Sequence, residues 1–141
     1  MRLLAAVMFM LFAAPVLAQP AAVGPDKVVY HLSAGTEQAA LAIQNIRNHL
    51  EANPKAEITV VALATGVDFL MKGAKTARGN EYRGMVEDLD LQGVKFRVCE
   101  ITLRERGLKK EQFLPEAGFV PSGVAEIARL QAREGYAYLR P

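Results

Sequence analysis

Glu57-Ile58-Thr59-Val60-Val61-Ala62-Leu63 is the stretch whose reading decides the fold. After Glu57 it is a short apolar run rich in β-branched residues, with no alternation of polar and apolar positions. A strand open to water on one face alternates; a strand covered on both faces does not need to. The run therefore predicts a strand inside a parallel sheet with helices on either side. Ala64-Thr65-Gly66 ends it with small residues.

Working outward, Lys27 to Leu32 carries Val28, Val29 and Tyr30 and reads as a first strand, closed by Ser33-Ala34-Gly35-Thr36. Thr36 is a candidate helix cap, and Glu37 suits the positive end of the helix dipole. Ala39, Ala42, Ile43, Ile46 and Leu50 recur at helical spacing, giving one apolar face as far as about Glu51, and Asn53-Pro54 stops the helix. Downstream of the central run, Val67 to Met71 predicts a short helix and Lys72 to Asn80, with Gly73 and Gly79, a loop. Tyr82 to Leu91 predicts a helix closed by Gly93. Val94 to Val98 is a strand with Cys99 directly after it. Thr102 to Arg106 is a short helix ended by Gly107, and Lys110 to Leu114 a turn before Pro115. Gly118 to Val120 is a brief strand. Ser122 caps a last helix lined by Val124, Ile127, Ala128 and Leu130, which ends near Gly135, and Tyr136 to Leu139 is a closing strand.

Strands and helices thus alternate from Lys27 onward. The expectation is an α/β fold: one three-layer domain with a mostly parallel five-stranded sheet, of flavodoxin size, over residues 27–141. At 51% hydrophobic residues the chain can build its own core. Upstream, Arg2, the apolar run Leu3 to Leu17 and the small residues at Ala18 have the parts of a cleavable secretory signal over residues 1–18. The run is shorter than the ~18 apolar residues of a spanning helix, so no stable membrane insertion is expected after cleavage. Gln19 to Asp26 reads as a linker. The expected location is outside the cytoplasm, periplasmic in a Gram-negative cell. With 17 basic against 15 acidic side chains, the charge is too balanced for a nucleic-acid partner.

In open parallel sheets ligands bind beyond the carboxyl ends of the strands. Three such ends carry small-residue turns, at Ser33-Ala34-Gly35, Ala64-Thr65-Gly66 and Pro121-Ser122-Gly123; the remaining one carries Cys99. His31, Ser33, Gly35, Thr65, Gly66, Thr102, Ser122 and Gly123 are the candidate pocket residues. His31 is a candidate hydrogen-bond partner or base for Cys99. A helix starting beside Cys99 favours its thiolate, whereas Glu100 next to it opposes the charge. Cys99 is the single cysteine, so no disulfide within the chain is available, and it is either packed and inert or a reactive thiol. Two histidines and one cysteine show no metal-ligand spacing. Gly35 and Gly66 belong to no phosphate-binding fingerprint, and no Gly-x-Ser-x-Gly elbow occurs.

The run Gly93-Val94-Lys95-Phe96-Arg97-Val98-Cys99, with Arg106-Gly107 seven and eight residues after the cysteine, resembles the active loop of the DsrE/DsrF-like family. Pro121 to Ile127 and Gly135 to Pro141 resemble a subgroup of that family. The resemblance spans residues 27–141. It implies a DsrE-like domain that assembles as a homo-oligomer, trimer or hexamer. It also implies that Cys99 carries a persulfide between a sulfur donor and an acceptor protein, without a metal or cofactor. Relay members of the family work in the cytosol, so an exported member would need other donors and acceptors. The alternative is a non-catalytic module on the same scaffold that binds a small anionic ligand or serves assembly.

Overall fold

The computed structural model describes residues 24–141; the expected signal segment, residues 1–18, and most of the expected linker lie outside the described residues. Five strands, β1 (Lys27–Leu32), β2 (Glu57–Ala62), β3 (Lys95–Cys99), β4 (Ala117–Val120) and β5 (Ala137–Leu139), form one sheet in the order β4-β3-β2-β1-β5. Every neighbouring pair is parallel. The central run is β2, flanked on both sides and buried from Ile58 onward, as its unbroken apolar character requires. Four helices connect the strands: α1 (Thr36–Ala52), α2 (Tyr82–Leu91), α3 (Glu100–Arg106) and α4 (Gly123–Glu134). Short 3₁₀ turns cover Ala64–Leu70 and Lys110–Gln112.

The strand order makes the two faces unequal. From β1 to β4 the chain steps in one direction across the sheet, then returns over its whole width to place β5 beside β1. Because β-α-β crossovers are right-handed, steps in one direction lay their helices on one face and the return step lays its helix on the other. The core divides accordingly. Val28, Tyr30, Ile58, Val60, Phe96 and Val98 pack with residues of α1, α2 and α3, including Ile43, Ile46, Val86, Leu89 and Leu103. On the other face Val29 and Val61 meet Ile127 and Leu130 of α4, with Leu63 and Tyr136 at the margin. Phe69, Tyr82 and Phe96 meet edge to face in the larger core, and the Tyr82 hydroxyl donates to the Thr36 carbonyl at 2.5 Å.

Local chemistry accounts for most boundaries. Ser122 caps α4 by accepting from the Ala125 N–H at 3.3 Å, and Gly107 and Gly135 end α3 and α4 in the left-handed region. Three sequence expectations are corrected. Thr36 is the first residue of α1 rather than its cap; Gly35 holds that position without a side-chain bond, and the Gln38 side chain instead takes the Ser33 and Ala34 N–H groups. The third strand runs through Cys99, and α3 starts at Glu100 rather than Thr102. Val124, 67% exposed, and Ala128 lie off the buried face of α4, because that helix covers the sheet alone and buries only a narrow stripe.

Gly66 and Gly84 make opposite demands. A Cβ at Gly66 would stand 2.3 Å from the Leu32 carbonyl oxygen, whereas one at Gly84, in α2, meets open space. Gly66→Ala is expected to destabilise the fold by roughly 1–3 kcal/mol or more. Gly84→Ala should stabilise it by about 0.5–1 kcal/mol, both measured by urea unfolding.

Candidate functional site

The ligand crevice of an open parallel sheet lies where neighbouring strands send their connections to opposite faces. Here that place is between β3 and β4. The segment after β3 enters α3 on the crowded face, and the segment after β4 enters α4 on the other. Cys99 is the last residue of β3 and pairs with Val120, the last of β4. The sequence's single thiol therefore stands between the first turns of two helices that approach from opposite faces.

Cys99 is 5% exposed. It occupies the N-cap position of α3, and Gly123, the first residue of α4, lies directly against it. A Cβ on Gly123 would come within 3.2 Å of the Cys99 Cβ and 3.1 Å of Leu63. Its side chain makes no capping hydrogen bond. The N–H groups of Gly123, Thr102 and Ile101 and the Thr102 hydroxyl favour its anion. Burial pushes its pKa up; these donors together outweigh burial and bring it below the ordinary thiol value. The competing carboxylate is dealt with locally, since Glu100 forms an ion pair with Lys110. Lys110 also sits 4.9 Å from the centroid of the Phe119 ring.

Thr102 is itself buried. Its Oγ1 accepts the Ala64 N–H at 2.9 Å, tying α3 to the turn that follows β2. Cys99, Thr102, Ser122 and Gly123 are thus assembled at one place, with Ala64 added to them. Ser122 contributes as the cap that starts α4, not as a side chain aimed at sulfur.

The remaining sequence candidates form a second group, over β1, β2 and β5. The Gly35 N–H donates to Thr65 Oγ1 at 3.1 Å, and that hydroxyl reaches the Ser33 carbonyl. Arg140 donates to Ser33 Oγ at 3.1 Å. His31 lies on the same sheet face as Cys99, but β2 stands between their strands: His31 pairs with Val61, and Val61 with Arg97. Its Nδ1 meets the Tyr138 hydroxyl at 2.7 Å, so its partner is on β5 and it is not a base for Cys99. The expectation that Gly66 leaves room for a ligand is also corrected, because the Leu32–Ser33 backbone fills that space. Sequence reasoning quoted Ala64 in a strand-end turn and Arg106 in the resembled loop but gave neither a place among the candidate residues. Only the structure shows Ala64 at φ 50°, the sole non-glycine residue with positive φ among those described, and Arg106 donating to its carbonyl. Among the described residues no group of three or more His, Cys, Asp or Glu stands ready for a metal.

A parallel α/β domain with a thiol at its topological switch point defines the class. The chain belongs to the DsrE/DsrF-like family, whose model matches residues 27–141. Its fold and sequence are similar to a protein of unknown function, MTH1491 from Methanobacterium thermoautotrophicum. The two are 38% identical with a TM-score of 0.71, over 82% of this chain and 99% of that one. The ychN protein of E. coli shares the fold at 16% identity and a TM-score of 0.69, over the same shares of the two chains. No curated protein matches the chain.

The His31 pair yields a pH test. Burial, and then Arg140, hold the imidazole below its ordinary value. The Nε2 atom is buried and has no partner among the described residues. A group whose folded pKa is depressed stabilises the fold above its unfolded pKa, and that contribution is lost as pH falls. The unfolding free energy of the native protein minus that of His31→Gln, measured in urea, should therefore shrink from pH 7 to pH 5.

Proposed function

We propose that this protein is a sulfur carrier in which Cys99 accepts a sulfane sulfur as a persulfide and hands it to a second thiol. The observation that carries the reading is the place of Cys99, at the N-cap of α3 and against Gly123 at the start of α4, where the free N–H groups of both helices favour its anion. The thiolate is the form that attacks sulfur. Family membership supports the same chemistry, since the resemblance seen at Gly93 to Gly107 is to an active loop that carries a persulfide.

The exchange balances without a cofactor. The Cys99 thiolate attacks the outer sulfur of a donor persulfide, RS–SH. A new S–S bond forms as the donor bond breaks, and the donor leaves as RS⁻ with the electron pair. Cys99 then bears –S–SH. An acceptor thiolate attacks that outer sulfur in turn, and Cys99 leaves as its own thiolate. The converging N–H groups serve both steps, because each requires a thiolate at Cys99, as nucleophile in the first and leaving group in the second.

In this reading the chain is exported by its N-terminal segment and works outside the cytoplasm with donors and acceptors suited to that compartment. It works as a trimer or hexamer. The second reading, a non-catalytic binding or assembly module, draws on the near-complete burial of Cys99, which is the usual condition of a packed structural thiol.

Intact-mass measurement before and after treatment with a polysulfide separates the two, with Cys99→Ser as control. The relay reading predicts a gain of sulfur that reductant removes, on the native protein only. A mass that does not change, with Cys99 resisting alkylation until the protein unfolds, contradicts it.

A further inference from the structure

Thr102 and Arg106 stand four residues apart on α3, so both side chains face the same neighbour. That neighbour is the turn after β2. One nitrogen of Arg106, Nη1, donates to the Ala64 carbonyl at 2.9 Å and to Asp68 Oδ1 at 2.6 Å. Ala64 and Asp68 belong to the same 3₁₀ turn, so the guanidinium fastens it at two points. Ala64 needs fastening: its φ of 50° is a conformation that an alanine holds only when its surroundings impose it. On the other side of its Cα, Ala64 donates its N–H to Thr102 Oγ1. A hydroxyl whose oxygen is engaged by a donor keeps its one hydrogen for an acceptor, and the Thr102 hydroxyl is among the groups that stabilise the Cys99 anion.

We infer that Arg106 is a positioning residue for Cys99: by latching the strained Ala64 turn it orients the Thr102 hydroxyl toward the sulfur. The inference rests on the reading of Cys99 as a working thiolate. It adds a chain of hydrogen bonds, Arg106 to Ala64 to Thr102, that ends in the first turn of α3, which Cys99 begins, so that Arg106 has its effect without touching the reacting atom. It also gives the Arg106-Gly107 pair distinct tasks. Gly107 ends α3 in the left-handed region, and Arg106, in the last turn, reaches back to the loop that feeds the site.

The test uses the single cysteine. Protein labelled with ¹³C at the cysteine Cβ gives one resonance, whose shift against pH reads the Cys99 midpoint directly, with no sulfur donor involved. Arg106→Gln should raise the midpoint, so that the thiolate fraction near neutral pH falls about fivefold, the factor matching one ordinary hydrogen bond. Arg106→Lys, which keeps the charge, should fall between the two. Thr102→Val should raise the midpoint by itself, and Arg106→Gln added to it should do nothing further. Asp68→Asn removes a negative charge, which by Coulomb's law alone would lower the midpoint; a loosened latch raises it.

A native midpoint in Arg106→Gln, an Arg106→Gln shift repeated in full on Thr102→Val, or a lowered midpoint in Asp68→Asn each overturns the inference. If Arg106→Gln does not fold, Arg106→Lys and Asp68→Asn decide, and native midpoints in both overturn it. The relay reading is judged separately, by sulfur uptake on the native protein. A latch that fails with uptake intact, and uptake that fails with the latch intact, are therefore different results.

Discussion

Everything at the candidate site depends on one crossover, the passage of the chain from β4 at one edge of the sheet to β5 beside β1. Up to β4 the chain winds one way and piles α1, α2 and α3 on one face. The return step puts α4 on the other, and so the helices that follow β3 and β4 begin on opposite sides of adjacent strand ends. Cys99 is the residue at that divide. A thiol at the start of one helix would feel one set of free N–H groups. Here Ile101 and Thr102 of α3 are joined by Gly123 of α4, and their sum exceeds the cost of burying the charge.

The approach of the two helices is bounded by small residues. Gly123 lets α4 start against the Cys99 and Leu63 side chains, and Gly66 lets the 3₁₀ turn lie against the end of β1. Neither glycine leaves space for a ligand; both bring backbone closer to backbone or to sulfur. The site is therefore packed rather than open. The Cys99 side chain lies on the face that α4 covers, where Ile127 and Leu130 over Val29 and Val61 make a thinner layer than the core on the other face.

Much of this was legible in the chain. The unbroken run at Ile58 to Ala62 gave away a strand covered on both faces. The apolar spacing from Ala39 to Leu50 gave α1, and Ser122, Gly107 and Gly135 marked helix ends through local backbone chemistry. Cys99 at a strand end was visible too, along with the opposition between helix dipole and Glu100. Strand order was not visible, since periodicity says which face a residue occupies and nothing of which strand lies beside it. For that reason His31 looked available to Cys99 and proved to be partnered with Tyr138 across the β1–β5 pair. Ala64 gave no sign of its positive φ, because alanine rarely adopts it and only the Arg106 and Thr102 contacts explain it. The answer to Glu100 came from Lys110, ten residues on and across a turn, at a distance that no local pattern encodes.

The central claim is that the fold favours the Cys99 thiolate despite burying the sulfur. Thiolate absorbance in the ultraviolet, recorded against pH for the native protein with Cys99→Ser subtracted, measures this directly. The account predicts a native midpoint below the one the same thiol shows when the protein is unfolded in urea. A native midpoint at or above the unfolded one would contradict it, and Cys99 would then be a packed side chain whose neighbours do nothing for its charge.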